Sequence, residues 1–226
     1  MIVLHHLNNS RSQRILWLLE ELNLEYEVKH YQRDSVTNLA PTTLTLIHPL
    51  GKSPIITDGD ITVAESGAII EYLIAAYFKQ GTDEQLTDPQ RGTAAHRLCT
   101  YWLHFSEGTL MPPLVAKLVL DKVRVNAKPF FVKFIANKIV DKLMASYYGP
   151  MITKNMDYIE NHLAQNAWFA GEQLSAADIQ MSFPLEAAVA RGNAKSQPNI
   201  AKFVEKIHAR PAYQAALEKG GKYDYV

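Results

Sequence analysis

The stretch Ser53-Pro54-Ile55-Ile56-Thr57-Asp58-Gly59-Asp60-Ile61-Thr62-Val63 sets two β-branched runs either side of Asp58-Gly59. Asp-Gly readily adopts the positive-φ backbone of a tight hairpin turn, and Ile, Thr and Val favour strands. The segment therefore predicts an antiparallel pair turning at Asp58-Gly59. Pro54 fits at a strand's first residue, where no ladder N–H is required. After Glu65-Ser66, the residues Ile69, Ile70, Tyr72, Leu73, Ala76 and Tyr77 recur at helical spacing. Towards the N-terminus, Ile2-Val3-Leu4-His5 reads as a short strand. Ser10 to Leu22 places Ile15, Leu16, Leu18, Leu19 and Leu22 on one helix face, and Tyr26-Glu27-Val28-Lys29 alternates as a second strand. Asn9 or Ser10 can cap that helix, and Asn23 suits its stop. Strand, helix and strand at this spacing make a βαβ unit with parallel strands. The connection from Arg33 to Thr45 leaves room for a short helix. Residues 1–80 thus read as an α/β unit in the order β-α-β-α-β-β-α, built on a four-stranded mixed sheet.

The polar residues 81–88 read as a linker, and 89–226 as an all-helical domain. A helical pattern over 93–120 meets Pro112-Pro113, where a kink or break is expected. Further helices are predicted over 131–148, 151–163, 199–210 and 213–219. Ser175-Ala176-Ala177-Asp178 is a capping-box pattern with Asp in place of Glu, and Leu174 and Ile179 stand where a hydrophobic staple would.

Composition narrows the function classes. The 226 residues are 47% hydrophobic, too apolar for a disordered chain and enough for a sizeable core. Lys+Arg and Asp+Glu balance at 23 each, which removes the basic footprint of a nucleic-acid binder. No apolar run approaches a membrane span, and Met1-Ile2-Val3-Leu4-His5-His6 reads as a strand rather than a signal peptide. A single cysteine, Cys99, excludes an internal disulfide, a CxxC pair and a cysteine-based zinc site. Its apolar neighbours mark it as core, and the usage fits a reducing compartment such as the cytoplasm. His5-His6 alternates on a strand, a poor arrangement for a metal. Lys117 to Lys142 is locally basic, which reads first as a solvated helix face.

Three polar turns gather at strand ends, where ligands bind in open α/β sheets. Ser10-Arg11-Ser12-Gln13-Arg14 opens the first helix, whose N-terminus favours an anion. Ser53-Pro54 opens a strand, and a cis bond there would free the Ser53 backbone for a ligand. Ser66 and the first N–H groups of its helix suit a carboxylate, and Glu65 an ammonium. Each also has a purely structural reading as a cap or a turn. His48 lies on the loop before Pro49-Leu50-Gly51.

These residues together resemble the cytosolic glutathione transferases, in a fungal-type branch also found in bacteria. The matching stretches are Ser10-Arg11-Ser12-Gln13-Arg14-Ile15-Leu16-Trp17-Leu18-Leu19, His48-Pro49-Leu50-Gly51-Lys52-Ser53-Pro54, Ala64-Glu65-Ser66-Gly67 and Leu174-Ser175-Ala176-Ala177-Asp178. The resemblance implies a thioredoxin-like first domain with Pro54 in cis. It implies that Ser53 offers its backbone to the cysteinyl part of glutathione, that Glu65 and Ser66 hold the γ-glutamyl end, and that Lys52 assists. With neither Tyr nor Cys in the loop before the first helix, it implies a serine-type enzyme. Ser10 is then the best match for the activating hydroxyl, with Ser12, Asn8 and Asn9 as alternatives.

A free thiol near pKa ~8.5 is only a few per cent ionised at pH 7, so such an enzyme must favour the thiolate. One charge-assisted hydrogen bond (~1.5–3 kcal/mol) and a helix-dipole contribution (~0.3–1 kcal/mol) suffice for a shift of about two units. Trp102, Phe105, Leu110 and Met111 are candidates to line a site for a hydrophobic electrophile between the domains. The same resemblance implies a detoxifying homodimer with no metal and no cofactor beyond glutathione as co-substrate. Peroxidase or disulfide-reductase chemistry on the same site, and a non-catalytic glutathione-binding module, are the rival readings.

Overall fold

Ile2–Leu7 (β1) and Tyr26–Tyr31 (β2) pair in parallel, from Ile2 opposite Tyr26 to Leu7 opposite Tyr31, joined by the helix Ser12–Glu21 (α1). Ile55–Asp58 (β3) runs antiparallel to β1, and Ile61–Ala64 (β4) antiparallel to β3, so the sheet order is β2-β1-β3-β4. This computed structural model describes residues 1–79 and 86–226. The hairpin lies where expected, but its turn falls one residue later. Asp58 pairs with Ile61, leaving Gly59-Asp60 as the turn with Gly59 at φ +56°. Asp58 is kept in the strand by the helix Ser66–Tyr77 (α2): its carboxylate accepts the hydroxyls of Tyr72, at 2.9 Å, and of Tyr77. The helix expected between β2 and β3 is only a 3-10 turn, Thr42–Leu46. Three β-branched threonines in five residues do not propagate a helix, and buried Leu44 pins the turn.

The helical part comprises Ala94–Phe105 (α3), Met111–Asn126 (α4), Phe130–Leu143 (α5), Gly149–Leu163 (α6), Ala176–Ala190 (α7), Pro198–His208 (α8) and Pro211–Gly220 (α9). One short pairing adds to it: Leu86–Thr87 (β5) runs parallel to Leu174–Ser175 (β6). The far end of the expected linker is therefore tied to the helical part, while residues 81–85 of that linker lie outside the described residues. Pro112 and Pro113 do not break their helix from within. They occupy the first turn of α4, where a missing N–H is harmless, and the irregularity precedes them as a π-helical segment, Ser106–Leu110. A second π segment, Met144–Tyr148, precedes Gly149-Pro150 in the same way.

The core runs through both parts. Ile15, Leu16, Trp17, Leu18 and Leu19 of α1 are all fully buried, because α1 lies between the sheet on one side and α7 and α9 on the other. Gly220 ends α9 so close to α1 that a Cβ there would meet Gln13 Oε1 at 2.7 Å and Leu16 Cδ1 at 2.9 Å. His5 and His6 are buried within this layer. His5 Nδ1 bonds the Tyr31 hydroxyl at 3.0 Å and His6 Nδ1 bonds Ser12 Oγ at 2.9 Å, and burial pushes His6 down to about 4. Cys99 is buried under α7, and desolvation pushes its thiol up to about 11. The basic stretch lies on partly exposed faces of α4 and α5, where Lys117 meets Asp121 at 2.6 Å and Arg124 meets Asp141 at 2.8 Å. Among the described residues no helix is long and apolar enough to cross a membrane, and no group of three potential ligands could hold a metal ion.

The capping box at α7 is present. Asp178 Oδ2 accepts the Ser175 N–H at 2.8 Å and its hydroxyl at 2.9 Å, Oδ1 accepts the Phe169 N–H at 2.8 Å, and Leu174 and Ile179 are both fully buried in the core. Asp178→Ala removes the acceptor from two buried N–H groups. It is expected to lower stability by at least about 2 kcal/mol, measured as a lower urea midpoint at unchanged slope. Burial pushes the Asp178 carboxyl up from 3.8 to about 6 against those donors. A raised carboxyl contributes fully below its unfolded value and loses that contribution as pH rises through the folded one. The stability of the native protein relative to Asp178→Asn should therefore fall between pH 3.8 and about 6 and stay level above it.

Candidate active site

The chain leaves β1 and enters α1 through Asn8-Asn9-Ser10-Arg11, with Asn9 at φ +49°, a conformation asparagine tolerates. Ser10 Oγ accepts the Ser12 N–H at 3.2 Å and shares a hydrogen bond with Ser12 Oγ at 2.8 Å, and the Ser10 carbonyl accepts the Gln13 N–H at 3.2 Å. Ser10 thus satisfies the first donors of α1, and at 4% exposure its hydroxyl faces inward. The hydroxyl expected to face a ligand is thus shared with Ser12. The alternatives are engaged as well. Ser12 Oγ is held by His6 and by the Leu7 carbonyl at 3.2 Å, Asn8 Oδ1 accepts the Arg33 N–H at 2.8 Å, and the Asn9 amide joins Asp224 through bonds of 2.7 and 2.9 Å.

The five expected tripeptide contacts do come together. Lys52, Ser53, Pro54, Glu65 and Ser66 line one cavity of about 210 Å³, with Arg11, His48, Leu50, Ala64 and Glu107 completing the wall. The Ser53-Pro54 bond is cis, and Ser53 Oγ donates to the His5 carbonyl at 3.0 Å, which fastens the start of β3 to the end of β1. Glu65 caps α2 at φ +71°, ψ +120°. A non-glycine residue in this region carries strain of about 1–3 kcal/mol, and such strain concentrates at ligand sites. Glu65 is exposed, so no packing explains it.

Beneath the cavity lies a charge cluster the sequence reading missed. Arg14, fully buried in α1, donates to the Gln180 carbonyl at 2.6 Å, to Glu107 at 2.5 Å and to the Ser66 hydroxyl oxygen. Arg11 Nε meets both Glu107 oxygens at 3.0 Å. Burial pushes the Glu107 carboxyl up, but the Arg14 and Arg11 charges outweigh it and hold the group below its usual range. Burial likewise lowers the Arg14 guanidinium, and Glu107 opposes this. Because Arg14 satisfies one lone pair of Ser66 Oγ, the hydroxyl proton is left for a ligand. Nothing in the spacing of residues 11, 14 and 107 announced this cluster, since Glu107 reaches it only through the π segment.

A second cavity, of about 310 Å³, has an apolar wall of Met111, Leu114, Val115, Leu118 and Phe183 and a polar wall that includes Asn9, Arg11, Arg33, Arg191, Asp224 and Tyr225. Arg11 lines both cavities. Of the expected electrophile contacts only Met111 is here. Trp102, Phe105 and Leu110 belong to the core: Trp102 stacks on Tyr158 and packs edge-on against Phe105 and Phe169. Residues 111, 114, 115 and 118 of this lining carry a readable signal, because they share one face of a helix.

Residues 1–75 match the family model described as glutathione S-transferase, N-terminal domain, and residues 140–211 match its C-terminal counterpart. The chain is 44% identical to glutathione S-transferase 3 of Schizosaccharomyces pombe, over 97% of this chain and 88% of that one. It belongs to the glutathione S-transferase family. Glutathione S-transferase 1 of Saccharomyces cerevisiae is 34% identical, with 97% and 95% covered. The crystal structure of a glutathione S-transferase from Actinobacillus pleuropneumoniae is similar at a TM-score of 0.80 and 35% identity, covering 100% and 95% of the two chains. The protein is a glutathione transferase enzyme, with a thioredoxin-like first domain and a helical second part.

Two substitutions test how this transferase builds its site. Glu107→Gln leaves the buried Arg14 charge without its partner. It is expected to lower stability by about 3 kcal/mol, the low end for a broken buried pair because Glu107 is about a third exposed, read by urea unfolding. Glu65→Gly removes the carboxylate expected to meet the ligand while relieving the positive-φ strain, so calorimetric glutathione affinity should weaken by about tenfold or more without loss of thermal stability.

Proposed function

We propose that the enzyme joins glutathione through its sulfur to hydrophobic electrophiles. Glutathione occupies the cavity of Lys52, Ser53, Pro54, Glu65 and Ser66, and the electrophile lies against Met111, Leu114, Val115, Leu118 and Phe183. The observation that carries this reading is the position of Arg11 on both walls, where sulfur and electrophile must meet. Arg11, Glu107 and Arg14 sum to one net positive charge, two guanidinium groups against one carboxylate, in a partly buried setting. Positive charge in reduced dielectric favours a thiolate.

In this reading Arg11 stabilises the sulfur anion, and Ser10 acts as a positioning residue that shapes the loop holding it. The Ser53 backbone pairs with the cysteinyl unit. Glu65 meets the γ-glutamyl ammonium, while Ser66 and the first N–H groups of α2 hold its carboxylate. The thiol proton leaves to solvent. The thiolate forms a carbon–sulfur bond as a leaving anion departs, or as an unsaturated acceptor takes up a proton. No cofactor beyond glutathione as co-substrate enters this chemistry. A wall with so few polar contacts on its apolar side suits broad selectivity and a detoxifying role in the cytoplasm. A homodimer is part of the same proposal, supported by the exposed apolar residues Ile61, Leu98 and Tyr101 and testable by equilibrium sedimentation.

The deciding measurement is a pH titration of bound glutathione by thiolate absorbance. The native enzyme should titrate about two units below a free thiol. Arg11→Gln should raise that value by at least about one unit, or about 1.4 kcal/mol, while Ser10→Ala should leave it in place. An unchanged value in Arg11→Gln would remove Arg11 from the role, and a shift in Ser10→Ala would restore the hydroxyl.

A further inference from the structure

The larger cavity carries positive charge that its surroundings hold in place without neutralising. Arg33 Nε donates to the Asn8 carbonyl and its Nη1 to the Asn38 carbonyl, each at 3.2 Å. Arg191 donates to the Tyr225 hydroxyl at 2.6 Å and lies 5.2 Å above the centre of that ring. Among the described residues, no Asp or Glu oxygen lies within 4.0 Å of either guanidinium. The one carboxylate on the wall, Asp224, is taken by the Asn9 amide at 2.7 Å and faces Lys222 at 3.7 Å. The third arginine, Arg11, is matched by Glu107. Carbonyl and ring partners fix a guanidinium's orientation but leave its charge, and a concave wall on which three arginines outnumber one carboxylate concentrates positive potential inside it. The same cavity also has an apolar lining that includes Met111, Leu114 and Phe183.

Resting on the transferase reading above, we propose that the preferred second substrate is an amphipathic anion. It is an electrophile whose apolar body lies on the Met111–Phe183 wall and whose carboxylate is held by Arg33 and Arg191. A planar guanidinium matches a carboxylate through two parallel hydrogen bonds, which selects this anion over a neutral ester of the same shape. The larger cavity thereby discriminates by charge as well as by shape.

The test compares ethacrynic acid, an unsaturated ketone bearing a carboxylate, with its methyl ester, using the full chain at saturating glutathione. The native enzyme should prefer the acid by about tenfold in kcat/KM, and about 0.5 M sodium chloride should shrink that preference. Arg33→Gln and Arg191→Gln should each remove most of it by raising KM for the acid, leaving turnover of the ester and glutathione affinity unchanged. Equal use of acid and ester by the native enzyme, or an unaltered preference in the double variant, overturns the proposal while the transferase reading stands. Conjugation of neither compound by enzyme that binds glutathione overturns the transferase reading itself, and this proposal with it.

Discussion

A guanidinium stripped of water in the first turn of α1 is a severe constraint, and much of the site is arranged around it. Arg14 cannot be left without a counter-charge, because an uncompensated buried ion is among the most destabilising features a fold can carry. Glu107 meets it from the helical part, Gln180 meets it with a backbone carbonyl from α7, and Ser66 meets it from the start of α2. Three elements from distant parts of the chain are thereby fixed relative to α1. The π segment Ser106–Leu110 is the local deformation that turns Glu107 towards the pair, and the prolines that follow give α4 a start needing fewer N–H partners. The same carboxylate then orients Arg11. The electrostatics of the cavity floor and the rigidity of the contact between the sheet and the helical part are thus a single arrangement.

Local patterns were legible where local physics decides. The βαβ unit, the hairpin, the α7 capping box and the nearness of Ser53-Pro54 to Glu65-Ser66 follow from turn chemistry and hydrophobic period, while Lys52 joins them only through the family resemblance. What escaped was decided by tertiary contacts. The hairpin turn moved by one residue because Tyr72 and Tyr77 draw Asp58 into the strand. Ser10, which matches a family position, shares its hydroxyl locally with Ser12, a contact that spacing cannot distinguish from an open one. Trp102 and Phe105 are large and apolar, as an electrophile site between the domains would need. Their helix instead turns that face into an aromatic cluster with Tyr158 and Phe169, and the wall falls to the next helix. Arg14 and Glu107 left no trace because an ion pair spanning 93 positions has no periodicity to read.

The last residues of the chain finish the larger cavity. Tyr223 donates to the buried Glu186 carboxylate at 2.6 Å, Asp224 is doubly joined to Asn9, and Tyr225 lies against Phe183 and Arg191. The loop opening α1 and the chain's end therefore brace one another, although 215 positions separate them. This explains why a residue with an unusual backbone, Asn9, stands there: its amide offers both a donor and an acceptor to the same partner.

The sulfur of Cys99 has a place in this economy of reactivity. Any protein that gathers compounds hungry for soft nucleophiles exposes its own side chains to them. Cys99 lies under α7 with its thiol pushed up to about 11, so at neutral pH it is both shielded and protonated. The chain's one cysteine is therefore kept protonated at neutral pH, so no thiolate of the protein's own competes with that of a bound glutathione.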